Sequence, residues 1–329
     1  MILEKIVKKI AYAGILGLTL ISGCGISHNS GAINTRFGCL PYPKIGTSFP
    51  DPTKLGIHNT GSEKKGQVYT CKAGPIDLAH LRNGADWAKY FSDKTAGHLK
   101  RGDREFSFKL DEPSRYFVKL NYPENWTSMS EQQREEIVKG VSNELGQYFS
   151  YLGTTWHEIL TWFGYKSIGI YSEFHSAFTW EDNFSNLLGA YVAGKAIERG
   201  GDFNKAVTKV IDEEFNKLKV QPREVAKKAS LSMKEKRHFD IGLDGYVTPW
   251  IVSSVSQCGE AVSYPVPSKG EGYGFSMSLE IEPYGMERGK VLGVAGKQNR
   301  IVPETDFPVI MDYIKKDAIR RWGVGVDKI

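Results

Sequence analysis

The chain has 329 residues, of which 40% are hydrophobic and 12% aromatic, enough apolar side chains to build a substantial core. Its formal net charge is +5, and about +3 without the first 23 residues, so charge gives no reason to expect nucleic acid as a partner. The sequence has no P-loop, no G-x-S-x-G nucleophile elbow and no G-x-G-x-x-G at the start of a helix, which excludes the signatures of the commonest nucleotide-binding proteins and serine hydrolases.

Residues 1–23 predict a lipoprotein signal peptide. A basic stretch precedes the apolar run AYAGILGLTLI, which is too short to span a bilayer. The run ends in LISGC, with small residues directly before Cys24. This order resembles the lipobox of bacterial lipoproteins, which implies that Cys24 is acylated and begins the mature chain. We therefore expect a lipid anchor in the cell envelope, in the outer membrane facing the periplasm if the host is Gram-negative.

The N-terminal part of the mature chain is predicted to be rich in loops. Gly, Ser, Asn and Pro dominate residues 25–65 without apolar periodicity, so residues 24–37 form a tether and residues 38–329 a single globular domain. Three cysteines remain after lipidation, and an oxidising compartment permits one disulfide between them. Three pairings are possible, and we favour Cys39–Cys71 over those with Cys258 because it would staple the loop-rich stretch.

The next segments alternate between strand and helix patterns. GQVYTCKAG predicts a strand, and a helix is expected from Pro75, since proline suits the first helical turn. REFSFKL and SRYFVKLNY predict two strands joined by a turn at residues 111–113.

The centre of the sequence is predicted to be helical. A capping box of Ser128 and Glu131 opens a helix that Gly153 is expected to end, and a second helix carries TTWHEILTWFGY. A further capping box of Thr179 and Asp182 opens EDNFSNLLGAYVAGKAIERGG, whose small residues form a face suited to close packing. DFNKAVTKVIDEEFNKL predicts one more amphipathic helix.

Beyond about residue 240 the pattern changes to short alternating runs, notably GYGFSMSLEIE and KVLGVAG, before a last helix in DFPVIMDYIKKDAIRRW. These elements define an α+β fold class, with a helical central core flanked by small antiparallel sheets and a long loop-rich N-terminal segment.

The stretch TTWHEILTWFGY opens like the zinc-protease motif H-E-x-x-H, but Thr161 stands where the second histidine would be. Side chains at adjacent helical positions point about 100° apart, so His157 would bind a metal while Glu158 acts as general base. The second histidine would be His80 in PIDLAHLRNGADW, with Asp77 three residues earlier to orient it.

The remaining ligand would come from SEFHSAFTWED. A catalytic zinc needs three protein ligands and an open water position, so we predict His80, His157 and one of the carboxylates Glu173, Glu181 or Asp182. If Asp182 is not a ligand, we expect it to orient the ligands together with Asp77. Simpler roles are also open, since His157 lies among apolar residues and Glu181 and Asp182 begin a helix, where the dipole favours carboxylates.

Three stretches resemble a family of bacterial lipoproteins that carries a domain of unknown function: GQVYTCKAGPIDLAHLRNGADW, TTWHEILTWFG and SEFHSAFTWEDNFSNLLG. The resemblance runs from about Cys39 to near residue 300. It implies a secreted, lipid-anchored protein of one domain, and it implies no reaction.

Two functions remain open on the sequence. One is an envelope hydrolase in which a metal-bound water attacks an ester or amide, zinc being the expected cofactor and Glu158 the general base. The other is a non-catalytic lipoprotein that binds an envelope component or a protein partner through its aromatic residues.

Overall fold

The computed structural model of the chain describes residues 48–59, 61–110, 114–167, 171–172, 174–233, 236–256 and 258–322. The predicted signal peptide and tether, Cys24, Cys39, the turn at 111–113 and Glu173 lie outside these ranges. Within them, no helix combines the length and the apolar character that a membrane span requires.

The described residues form an α+β fold, as predicted. The helices are α1 (Leu78–Arg101), α2 (Glu131–Trp162), α3 (Asp182–Arg199), α4 (Phe203–Lys217), α5 (Arg223–Ser232), α6 (Arg288–Ala295) and α7 (Pro303–Trp322). The strands are β1 (Gln67–Thr70), β2 (Gly74–Asp77), β3 (Glu105–Lys109), β4 (Ser114–Asn121), β5 (Lys166–Ser167), β6 (Tyr171–Ser172), β7 (Tyr246–Val247), β8 (Tyr264–Pro265) and β9 (Ser276–Pro283). The pairs β1–β2, β5–β6 and β7–β8 and the sheet β3-β4-β9 are all antiparallel.

Helices α1, α2 and α3 pack against one another at the centre of the fold, and small residues let their backbones approach closely. The Ser150 hydroxyl donates a hydrogen bond of 2.8 Å to the Gly84 carbonyl across the α1–α2 contact. A Cβ at Gly146 would lie 2.5 Å from the Ala88 carbonyl oxygen. The small-residue face predicted on α3 has the same use, since a Cβ at Gly189 would lie 2.1 Å from the Leu81 oxygen.

We expect Gly189→Ala to lower the free energy of unfolding by about 1–3 kcal/mol, the range for overpacking a tight interior contact. The α1 backbone cannot move aside as a flexible side chain would. Gly293→Ala on α6 is the matched control, because nothing lies within 4 Å of the added Cβ. Denaturant unfolding of both variants checks this, and equal stabilities would contradict the close α1–α3 contact.

The sheet β3-β4-β9 packs against α1 and α2, where Phe108 of β3 contacts Phe91 and Phe149. Along β4, Tyr116, Val118 and Leu120 alternate with less buried residues and face the core. The ring of Tyr116 stacks on Phe108 of β3 with centroids 4.7 Å apart. Helix α7 completes this core, where Phe307 stacks on Trp156 of α2.

Four local predictions were wrong. The helix predicted from Pro75 begins at Leu78, since Pro75 lies in β2 and Asp77 caps the helix. Helix α2 runs through Gly153 without a break, and its capping box is formed by Ser130 and Gln133. KVLGVAG belongs to α6 instead of a strand.

The disulfide joins Cys71 to Cys258, with Cα atoms 5.6 Å apart, so the predicted Cys39–Cys71 pairing is wrong. The turn between β1 and β2 brings Cys71 against the segment around residue 250. Gly74, in that turn, has a φ of 65° and lies so close to Trp250 that a Cβ would be 2.2 Å from its carbonyl oxygen. The bridge therefore links the start of the fold to its C-terminal third.

Candidate active site at the junction of three helices

The polar residues singled out in three segments come from the N-terminal ends of α1 and α3 and from the C-terminal half of α2. The positive ends of two helix dipoles meet there, which favours carboxylates. All the described members are buried: Asp77, His80, His157, Glu158, Glu181 and Asp182. A buried cluster with this many ionisable groups needs specific partners for each charge.

His80 of α1 forms an ion pair with Asp182 of α3, with Nδ1 and Oδ1 3.0 Å apart. The second carboxylate oxygen of Asp182 accepts hydrogen bonds from the backbone and the hydroxyl of Thr179, at 2.8 and 2.7 Å. Only half of the predicted capping box is formed: α3 begins after Glu181 without a side-chain cap, and Asp182 accepts from Thr179. These two hydrogen bonds fix the carboxylate that faces His80. Nε2 of His80 is buried and has no hydrogen-bond partner among the residues described.

Asp77 has a structural role at the same junction. It is the N-cap of α1, where Oδ1 accepts hydrogen bonds from the backbone amides of Ala79 and His80. Its own amide donates to the Ser185 hydroxyl, which in turn donates to the Glu181 carbonyl. Asp77 thus joins the starts of α1 and α3 and fixes the backbone that carries His80.

Glu158 is 1% exposed and accepts a hydrogen bond of 2.8 Å from the Phe178 amide. Phe178 has a φ of 53°, a conformation that is strained for a bulky residue. The His238 amide binds the Phe178 carbonyl at 3.0 Å, so both peptide groups around this residue are held. Strained backbone of this kind is concentrated at functional sites.

Glu181 contacts a different part of the fold. Its Oε1 accepts a hydrogen bond of 2.8 Å from Gln67 of β1, and Gln67 accepts one from Ser230 of α5. The other oxygen, Oε2, is buried and has no hydrogen-bond partner within the described ranges. Gln67 is a site residue that was not predicted from the sequence, where its only signal is an amide side chain in a short strand.

The charges of the cluster hold a proton on His80. Burial by itself would lower the pKa of this imidazole, but the adjacent Asp182, with Asp77 and Glu158, outweighs burial and raises the pKa to about 10. His80 is therefore a cation at neutral pH.

The two buried glutamates have higher pKa values than a glutamate side chain in water. Burial and the charge of Asp182 raise the pKa of Glu158 to about 7, against the opposing effects of His157, His80 and the Phe178 amide. Burial, with the charges of Asp182 and Asp77, also raises the pKa of Glu181. Glu158 can thus gain and lose a proton near neutral pH, and the pKa of Glu181 is shifted in the same direction.

The described residues contain no group of three or more His, Cys, Asp or Glu side chains arranged to hold a metal ion. The zinc set predicted from His80, His157 and Glu181 is not among such groups in the described residues, where His80 Nδ1 pairs with Asp182 and Glu181 Oε1 accepts from Gln67. His157 instead packs its ring edge-on against Tyr165. A zinc site completed by Glu173 would involve a residue that lies outside the described ranges.

The fold and this cluster define an α+β protein with a buried group of carboxylates and histidines between three helices. The chain belongs to the family described as Protein of unknown function (DUF4056), whose model matches residues 50–238. The match includes every described member of the cluster, and it confirms the expected domain of unknown function over residues 50–238. No curated protein and no solved structure matches the chain.

Proposed function

We propose that this chain is a membrane-anchored cell-envelope lipoprotein whose globular body hydrolyses an ester or amide by general acid–base catalysis. The observation that carries the proposal is the raised pKa of Glu158, about 7, next to the buried His80–Asp182 ion pair. A general base works best when its pKa lies near the working pH. Carboxyl groups pushed to different pKa values in one site are typical of acid–base catalysts.

In this proposal Glu158 accepts a proton from the attacking water. The imidazolium of His80 supplies positive charge for a developing oxyanion, and Glu181, whose pKa is raised by burial and by the charges of Asp182 and Asp77, would donate a proton to the leaving group. Asp182 positions the ring of His80, and Asp77 positions its backbone amide. The zinc-dependent form of the reaction would need Glu173, and a metal content of about one zinc per chain in purified protein would support it.

The full-length chain, reconstituted in phospholipid nanodiscs, is to be assayed on small esters and amides between pH 5 and 10. We expect kcat/KM to rise about tenfold per pH unit below pH 7, as Glu158 loses its proton, and to level off above it. A decline near pH 10 would follow loss of the His80 proton. Turnover that does not depend on pH across this range would contradict Glu158 as the base.

The membrane anchor is a separate prediction. We expect the membrane fraction to yield a mature chain that begins at an acylated Cys24, and Cys24→Ala to abolish this acylation. Mass spectrometry of the N-terminal peptide measures both. An unmodified peptide that reads through residues 20–30 would contradict the anchor without bearing on the hydrolytic site.

The alternative function is a non-catalytic lipoprotein that binds an envelope component or a protein. Its support is the burial of every described cluster member, which also suits a structural centre, together with apolar side chains exposed elsewhere. Met286 is 78% exposed, and Val309 and Trp322 are 49% and 45% exposed. Absence of turnover on every ester and amide would favour this alternative.

A further inference from the structure

An open cleft of about 570 Å³ lies between the C-terminal end of α1 and the N-terminal end of α2. Its volume is within the range of small-molecule sites, about 300–1,000 Å³. Residues 99–102 form the α1 side, and Trp126, in the short turn before α2, also lines the cleft. The residues of the α2 side recur at helical spacing and so share one face of that helix: Glu131, Arg134, Glu135 and Val138.

The cleft is remote from the buried cluster. An α-helix rises about 1.5 Å per residue, so Lys100 lies about 30 Å along α1 from His80. On α2, Glu131 lies about 40 Å from His157 by the same geometry. A ligand that fits in the cleft therefore does not reach the cluster, and its binding does not depend on the proposed hydrolysis.

The bottom of the cleft is apolar. Leu99 and Val138 line it and are only 1% and 4% exposed, since both belong to the main hydrophobic core. Trp126 is partly buried, and its ring packs against Tyr122 and Phe275 with centroids 5.2 and 5.5 Å apart. These contacts hold the indole in place, so its accessible part gives a ligand a fixed apolar surface.

Charged side chains of both signs line the rim. Lys100 is exposed on the α1 side, and Glu131 and Glu135 are exposed on the α2 side together with the partly buried Arg134. Within the described ranges, these four side chains form no ion pair and no hydrogen bond. Arg101, the remaining charged residue of the cleft, pairs with an acidic side chain outside it. Two cations and two carboxylates are thus available to a ligand.

Helix stability explains only part of this arrangement. The helix dipoles favour Lys100 at the end of α1 and Glu131 at the start of α2, but their effect falls off within one turn. Glu135 lies beyond the first turn of α2 and four residues after Glu131, a spacing at which like charges destabilise a helix. A ligand with a positive group would relieve this repulsion.

We propose that the cleft binds a short zwitterionic peptide with free termini. Its ammonium group pairs with Glu131 and Glu135. Its carboxylate pairs with Lys100 and Arg134, whose guanidinium fork matches a carboxylate. An apolar side chain of the peptide packs on the bottom of the cleft. Since a cavity of about 150 Å³ holds benzene, 570 Å³ accommodates a peptide of about three residues.

The test measures binding of the tripeptide Ala-Leu-Ala to the full-length chain in nanodiscs by calorimetry. The same peptide with an acetylated N-terminus, or with an amidated C-terminus, removes one ligand charge at a time. Glu135→Gln and Lys100→Gln remove one charge from each side of the cleft. Glu136→Gln and Lys139→Gln are the matched controls, because both residues are exposed on α2 and do not line the cleft.

We expect Glu135→Gln and Lys100→Gln each to weaken binding about 3–5-fold, the effect of one exposed ion pair. Each blocked peptide should bind more weakly than the free one by a similar factor, and high salt should weaken binding further. The two control variants should bind like the wild type.

Absence of binding at millimolar peptide overturns the inference. Equal affinity for the free and the acetylated peptide also overturns it, because the cleft would then be a simple anion site. Equal losses in Glu135→Gln and Glu136→Gln would mean that net charge, and not the cleft, governs binding. Turnover by the proposed hydrolytic centre should be the same in all four variants, so failure here leaves the proposed function intact.

Discussion

Asp182→Asn is expected to lower the free energy of unfolding by about 3–5 kcal/mol near neutral pH, the usual cost of removing one partner of a buried ion pair. The side chains of His80 and Asp182 are only 7% and 2% exposed, so solvent cannot replace the lost partner. The amide that replaces the carboxylate can still accept the hydrogen bonds from Thr179. The loss therefore reports mainly on the charge of Asp182.

The same change should alter how stability depends on pH. The pKa of His80 is raised from 6.5 to about 10 in the folded chain. Stability from its protonated form is therefore fully present below pH 6.5 and is lost as the pH rises through 10. In Asp182→Asn, the charge that opposes the effect of burial is lost, so the pKa of His80 in the folded chain falls. The decline of the free energy of unfolding between pH 6.5 and 10 should therefore become shallower. Denaturant unfolding at pH 6, 8 and 9.5 measures both effects.

Asp306→Asn is the matched control. Asp306 is also buried at the start of a helix, α7, where it accepts a hydrogen bond of 2.7 Å from the Val302 amide, but its charged partner is Lys297. We expect it to cost about 1 kcal/mol, as for a lost helix cap, with no change of slope between pH 6.5 and 10. Equal losses and equal slopes in the two variants would mean that the His80–Asp182 pair contributes no special stability.

The fold class follows from the sequence because the strongest periodic segments carry it. Strands β3, β4 and β9 and helices α3, α4 and α7 have clear period-2 or helical patterns and form close to where those patterns place them. The errors occur where tertiary contacts override local preference. Helix α2 continues through Gly153 because tertiary packing outweighs the low helix propensity of glycine. A Cβ there would lie 2.7 Å from Leu110, so the small residue allows close packing.

The polar junction was only partly predictable. His80 and Asp182 belong to segments that share an unusual mixture of acids, histidine and aromatic residues, and the structure pairs them. No local signal indicates that Phe178 adopts a left-handed conformation and donates its amide to Glu158, or that Gln67 binds Glu181. These contacts join residues 20 and 114 positions apart. The pairing of Cys71 with Cys258, 187 positions apart, likewise depends on the complete chain path.

Glu158→Gln should lower turnover of any ester or amide substrate at least ~100-fold, the low end for removal of a general base. Glutamine keeps the shape of the side chain, and its amide oxygen can still accept the hydrogen bond from Phe178. The fold should therefore persist, even though Glu158 is buried. Activity is to be measured per folded molecule at pH 8, where Glu158 is largely ionised.

The stability of Glu158→Gln separates catalysis from structure. Because burial raises the pKa of Glu158 from 4.5 to about 7, ionisation of this group costs stability, and the wild-type chain should lose stability as the pH rises from 4.5 to 7. Glutamine has no proton to lose, so the variant should be at least as stable as the wild type at pH 8.

Glu214→Gln provides the contrasting control. Burial would raise the pKa of Glu214, but the hydrogen bond from Tyr264 and the charge of Lys195 outweigh burial and lower it. The ionised form of Glu214 thus stabilises the fold, and Glu214→Gln should reduce stability at pH 8 while sparing turnover per folded molecule, since α4 lies outside the three-helix junction. If Glu158→Gln behaves in the same way, with a lower melting temperature and intact activity, Glu158 is a structural residue and the hydrolytic base must be sought elsewhere.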